Sequence, residues 1–161
     1  MEKGRNSSSY IGIEEKKKVM VAIEESECSH YALEWALQNL GNSIANAHLF
    51  IFTVQPNPDD TCMYMPTDVA RSFQENQKKF SLAVLEKAKE ICSKYGISAE
   101  TMTEVGNPKE VICEAVEKFH IQLLVLGSHS RGALKRAFLG SVSNYCAHHA
   151  KCQVVVVKKP V

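Results

Sequence analysis

Five short runs of β-branched and apolar residues, at 19–23, 48–54, 98–105, 123–126 and 153–157, alternate with segments whose apolar residues recur at helical spacing. Such alternation builds βαβ units around a parallel sheet, because parallel neighbours need a crossover and the crossover helix covers a face. The first, fourth and fifth runs are nearly all apolar, as strands buried on both faces require, and are expected to be central or well covered. Leu33, Ala36, Leu37 and Leu40 define a first helix, with Gly41 read as its C-terminal glycine. Val69, Phe73, Phe80, Val84, Ala88, Ile91 and Tyr95 define a second, long helix ending at Gly96. Asn107 is placed to cap a third, with Pro108 in its first turn and Val111, Ile112, Ala115, Val116 and Phe119 on its buried face. A fourth runs from about Ser141 to Ala150. The expectation is a single α/β domain over residues 16–161 behind a disordered tail at 1–15, where Ser7, Ser8, Ser9 and mixed charge offer little to bury. Residues 56–66, with Pro58 inside, read as a long surface loop carrying the apolar patch Cys62-Met63-Tyr64-Met65.

Charge narrows the partners. A formal net charge of +1 gives no long-range field to gather nucleic acid or an anionic membrane, so neither is expected as a partner. Any bound anion must be held locally. Six cysteines scattered through apolar segments, with no secretory signal ahead of them, read as free thiols in a reducing compartment, the cytoplasm or the nucleus.

The residues that carry chemistry are Gly127-Ser-His-Ser-Arg-Gly132-Ala-Leu-Lys-Arg-Ala-Phe-Leu-Gly140-Ser141, between a buried strand and a helix. Glycines admit a phosphate close to backbone N–H groups, and a helix N-terminus adds oriented donors. Arg131, Lys135 and Arg136 add positive charge. The loop is neither a Walker A motif nor the dinucleotide-binding glycine turn.

At these residues the chain resembles the universal stress protein family, plant members in particular, from about Lys16 to Pro160. The nucleotide-binding branch of that family shows Gly, two residues, Gly, nine residues, then Gly-Ser or Gly-Thr. Gly127, Gly140 and Ser141 match it, and Ser130 stands where the second glycine would be. A side chain in a left-handed conformation there costs roughly 1 kcal/mol, and Gly132 can supply the permissive position instead. The resemblance implies the adenine nucleotide alpha hydrolase-like fold, with strand order 3-2-1-4-5 and helices on both faces. It implies ATP or AMP as ligand, adenine meeting the backbone of Ala22 and Val54, and ribose over Gly127; Ser128 and His129 of the same loop are counted with the nucleotide-binding residues, His129 either near ribose or phosphate or as a solvated loop side chain. Phosphates would be wrapped by Ser130, Arg131, Gly132 and Ala133 and capped by Gly140, Ser141, Val142 and Ser143. Glu24 stands where the family usually has Asp, facing ribose or Mg²⁺ brought in with ATP. A homodimer through Val154, Val155, Val156 and Val157 is also implied.

Cys146, His148, His149 and Cys152 have ligand types suited to zinc, but only Cys146 and His149 share a helix face, so helix packing is the better reading. No metal site of the protein's own is expected. No Ser-His-Asp or Cys-His arrangement stands out, and no catalytic residue is assigned. The sequence thus points to an adenine nucleotide-binding stress-response or signalling module without dedicated catalysis. Two alternatives stay open: a ligand-free interaction or chaperone-like protein using the Met63–Met65 patch, and a slow ATP hydrolase.

Overall fold

The computed structural model describes residues 15–129 and 139–160, so the tail expected over residues 1–15 falls outside it but for Glu15. Strands β1 (Lys18–Ala22), β2 (His48–Gln55), β3 (Ala99–Val105), β4 (Leu123–Gly127) and β5 (Gln153–Val157) form one sheet in the order β3-β2-β1-β4-β5. Every neighbouring pair is parallel. The helices are α1 (Glu27–Asn39), α2 (Gly41–Ala45), α3 (Pro58–Cys62), α4 (Thr67–Lys94), α5 (Pro108–Lys118) and α6 (Ser141–His149). This is the single-domain α/β architecture and strand order expected.

The pleat of β1 divides the core. Val19, Val21 and Ile23 join Ala32, Leu33 and Ala36 of α1 and Val84, Leu85 and Ala88 of α4. Met20 and Ala22, pointing the other way, join Ile112, Ala115 and Val116 of α5 and Cys146 of α6. Each fully buried aliphatic side chain stabilises the fold by roughly 1.5–3 kcal/mol, so the sheet centre anchors both layers.

Local signals account for some of the helix ends. Ser26 is extended and its hydroxyl accepts the Ser29 N–H at 3.1 Å, with Glu27 in the positive first turn of α1. Gly96, at φ +68°, ends α4 as expected; the Ile97 N–H reaches back to the Cys92 carbonyl at 3.0 Å. Gly41 behaves differently from its expected role. Leu40 closes α1 by donating to the Ala36 carbonyl, and Gly41 opens α2, which carries Ile44 into the core. Asn107 occupies the capping position of α5, with Pro108 in the first turn, but its side chain makes no capping hydrogen bond.

Three elements differ from expectation. The segment read as loop contains α3, started by Pro58 and by Asn57, whose side-chain oxygen accepts the Asp59 N–H at 3.2 Å. Only the C-terminal part of α4 is buried, through Ser81, Val84, Leu85, Ala88 and Cys92, while Val69 and Phe80 stay exposed. β5 is an edge strand with Val154, Val155 and Val156 half-buried, as the strand order 3-2-1-4-5 requires, although its all-apolar run reads as a central or well-covered strand. It is β2 that takes that place, with Leu49, Phe50, Ile51 and Phe52 all buried.

Candidate functional site

After β1 the chain winds outward to β2 and β3, then crosses back to β4 on the other side of β1 and outward again to β5. Strand order reverses there, and the crevice outside the carboxyl ends of β1 and β4 is where open α/β sheets receive ligands. A cleft of about 310 Å³ lies at that point. That volume is at the small end of the range usual for small-molecule sites.

One end of the cleft is built from the β4 exit and the start of α6. Ser128 leaves the sheet with its N–H donating to the Val157 carbonyl at 2.9 Å. Its own carbonyl accepts the Gly140 N–H at 2.7 Å and the Ser143 hydroxyl at 2.7 Å, which ties the two halves of the loop together. Gly140 sits at the N-cap position without any side-chain cap, and Asn144 is the first residue to donate into the helix, to the Gly140 carbonyl at 2.9 Å. Ser141, Val142 and Ser143 therefore carry the orphan N–H groups of the helix start, where the macrodipole is positive.

The two glycines have steric reasons to be there. A Cβ on Gly127 would stand 2.9 Å from the Cys28 carbonyl oxygen, and one on Gly140 would stand 2.9 Å from the Ser128 carbonyl oxygen. Both neighbours are backbone and have little room to yield. Glycine at these positions lets β4 pass close to the start of α1 and lets the loop close on itself; this steric reason sits beside the expected one, the approach of a phosphate.

His129 completes this end. Its Nδ1 lies 2.9 Å from the Ser128 hydroxyl, while its Nε2 is buried without a hydrogen-bond partner among the described residues. A buried polar atom left unpaired costs about 1–3 kcal/mol, and most such atoms in folded proteins are satisfied.

At the other end β2 outruns β1. The register of the two strands stops at Ala22 opposite Phe52, with Ile23 N–H donating to the Phe52 carbonyl at 2.8 Å. Val54 and Gln55 continue with β3 as their strand neighbour, so the backbone edge of Val54 that faces away from β3 borders the cleft. Thr53 closes the gap behind it by donating its hydroxyl to the Ile23 carbonyl at 2.8 Å. Glu24 and Glu25 line the cleft as β1 ends, and the Glu24 N–H is held by the Ser29 hydroxyl at 3.0 Å.

Of the residues assigned to the ligand from the sequence, Ala22, Glu24, Val54, Gly127, Ser128, His129, Gly140, Val142 and Ser143 all border this one cleft. Ser141 is exposed and contributes the first residue of α6 rather than a wall. Ser130, Arg131, Gly132 and Ala133, with Lys135 and Arg136, lie outside the described residues. The sequence reading missed one wall altogether: Gln77, Phe80, Ser81 and Val84 of α4 line the cleft at a spacing of three and four residues. Phe80 and Val84 stand in the apolar periodicity of the helix and Gln77 and Ser81 do not, and a helix face does not say whether it meets a core or a cleft.

The four residues with zinc-ligand chemistry do not converge. His148 and His149 are exposed and place Nδ1 2.8 and 2.9 Å from the carbonyls of Asn144 and Tyr145, one turn back. Cys146 faces inward, its sulfur 3.9 Å from that of Cys113, and burial pushes its thiol up to about 12, with the neighbouring Cys113 adding to the effect.

With this geometry described, likeness to known proteins carries weight. The family model described as Universal stress protein family matches residues 16–158. A universal stress protein A-like protein from Arabidopsis thaliana is 29% identical over 160 residues, spanning 90% of this chain and 91% of that one. Two solved structures align across most of both chains. One, from Arabidopsis thaliana, is a universal stress protein family protein with AMP bound: TM-score 0.65, 26% identity, 90% of this chain and 93% of that one. The other is a universal stress protein in complex with cAMP: TM-score 0.66, 25% identity, 88% and 97% coverage. The chain belongs to the universal stress protein family.

Proposed function

We propose that this protein is an adenine nucleotide-binding stress-response or signalling module that holds ATP or AMP in the cleft and has no dedicated catalysis. The observation that carries this reading is the pairing of two unlike ends in one cleft: the N–H donors of the α6 start and the His129 Nε2, unpaired among the described residues, at one end, and the backbone edge of Val54 that faces away from β3 at the other. Phosphate suits the first, as an anion at a helix N-terminus. A base edge with alternating donors and acceptors suits the second. The ligands bound by the two structural relatives, AMP and cAMP, have this division into base and phosphate.

Glu24 is placed to meet the ribose, or a Mg²⁺ ion carried in on ATP, since Mg²⁺ prefers carboxylate oxygen and retains several waters. The Ser128–His129 contact resembles part of a hydrolytic pair, but the imidazole there lacks an orienting carboxylate among the described residues, because Nε2 has no partner. A cytoplasmic or nuclear site of action suits six cysteines that are all free, and no helix among the described residues is long and apolar enough to cross a membrane.

Calorimetric titration with ATP, ADP, AMP and GTP tests the reading. Adenine nucleotides should bind saturably and GTP more weakly, because guanine reverses the donor and acceptor order that a fixed backbone edge recognises. No heat of binding at millimolar adenine nucleotide would overturn it and favour the ligand-free alternative.

The edge strand β5 supplies an assembly surface. We infer a twofold homodimer in which Val154, Val155, Val156 and Val157 lie against the same strand of a second copy, covering an apolar edge that is otherwise a pairing hazard. Light scattering should give twice the chain mass at micromolar concentration; a monomer there counts against it.

A further inference from the structure

The wall that α4 contributes has a composition that core packing does not call for. Residues 77, 80, 81 and 84 lie on one helix face; Val84 and Ser81 run into the core, but Phe80 keeps 46% of its surface exposed and Gln77 is half-buried. An aromatic ring left exposed on a helix that already has a buried stripe is surplus to the fold. Both side chains border the cleft together with Val54 and Pro56, at the end away from Gly140 and the start of α6. With phosphate at the α6 end, this is the end that the base reaches. The inference thus rests on the nucleotide reading above and deepens it.

We infer that Phe80 and Gln77 form the base-selecting wall of the site: the Phe80 ring stacks on the adenine face and the Gln77 side-chain amide reads the adenine N7 and 6-amino group. The chemistry is complementary to what β2 offers. The Val54 backbone takes N1 and one hydrogen of the 6-amino group. The second amino hydrogen and N7 then present one donor and one acceptor side by side, which a carboxamide matches with its oxygen and its NH₂. Guanine presents two acceptors, O6 and N7, on that edge and leaves the amide oxygen without a partner, so the same wall disfavours guanine. Stacking on Phe80 is indifferent to the base and supplies affinity; the amide supplies choice.

The test uses the full-length chain and two probes, AMP and 7-deazaadenosine 5′-monophosphate, in which carbon replaces N7 and the amino group is kept. The unaltered protein should prefer AMP about fivefold, the worth of one ordinary hydrogen bond. In Gln77→Leu that preference should fall to about one, since the group that senses N7 is gone. In Phe80→Ala both ligands should weaken by about tenfold with the preference retained. Both side chains are partly exposed, so melting temperatures near that of the unaltered protein should certify the fold. If the unaltered protein binds AMP but Gln77→Leu keeps the preference, or Phe80→Ala leaves affinity unchanged, this inference fails and the nucleotide reading stands. If the unaltered protein binds neither probe, both fall.

Discussion

At the scale of single residues, the glycines of the β4 exit separate what a motif says from what a fold requires. In the sequence Gly127 and Gly140 are positions where backbone must meet a phosphate; in the structure each also faces a backbone carbonyl that a Cβ would approach to 2.9 Å. For Gly127 that neighbour is Cys28, far away in the chain, which is why no local pattern revealed it. The consequence is that these glycines matter without any ligand. Gly127→Ala is expected to destabilise the free protein by about 1–3 kcal/mol, the usual cost of overpacking a site that cannot collapse outward. For a chain of this size that is a fall of several degrees in melting temperature, measured with no nucleotide present. An unchanged melting temperature would mean that the close approach of β4 to α1 is relaxed in solution. His129 shows the opposite case: its place in the glycine loop was plain, but the unpaired Nε2 is a property of its surroundings, which only the fold supplies.

At the scale of elements, legibility follows how local the cause is. Turn chemistry such as Gly96 after α4 acts within a few residues and is legible in the sequence, while the Ser26 cap of α1, equally local, emerges only with the fold. Gly41 follows the end of α1, where the sequence places a stop, but without the positive φ of a glycine cap; it opens α2, which buries Ile44. Helix α4 shows the limit of periodicity: its apolar residues keep helical spacing throughout, yet only those from Ser81 onward meet the core, and Phe80 and Gln77 meet the cleft. The buried thiols belong to this scale too. Burial raises Cys92 on α4 to about 11 and Cys146 on α6 to about 12, against an ordinary thiol value of 9.0. Above pH 9 the unfolded chain releases these protons while the folded chain holds them, so the unfolded state binds fewer protons and stability falls as pH rises from 9 toward 11 and 12. Below pH 9 the contribution is fully present. Melting temperature should therefore drop between pH 8 and pH 10.5, and less steeply in a Cys92→Ala, Cys146→Ala double variant. Equal slopes would show that groups other than these thiols set the alkaline limit.

For the whole molecule, the alternation of strand and helix patterns was enough for a parallel α/β sheet, while the strand order came with the family resemblance and matches the observed β3-β2-β1-β4-β5. Order places the cleft, because reversal at β1 opens the carboxyl ends of β1 and β4. Ala22, Glu24, Val54, Gly127 and Gly140, which came with the family resemblance, border that cleft. The α4 wall was not legible in the sequence, since it is brought over the cleft by packing between elements and carries no motif. Function then depends on one claim: that phosphate sits on the α6 start and base on the β2 end of the same cleft. Backbone amide chemical shifts recorded by NMR during an AMP titration test this most directly. Saturable shifts should concentrate at Ser141, Val142 and Ser143 at one end and at Val54 at the other, with β3 and the α4 C-terminus little changed. Saturable binding whose shifts lie away from both ends, or no shift at millimolar AMP, would contradict it.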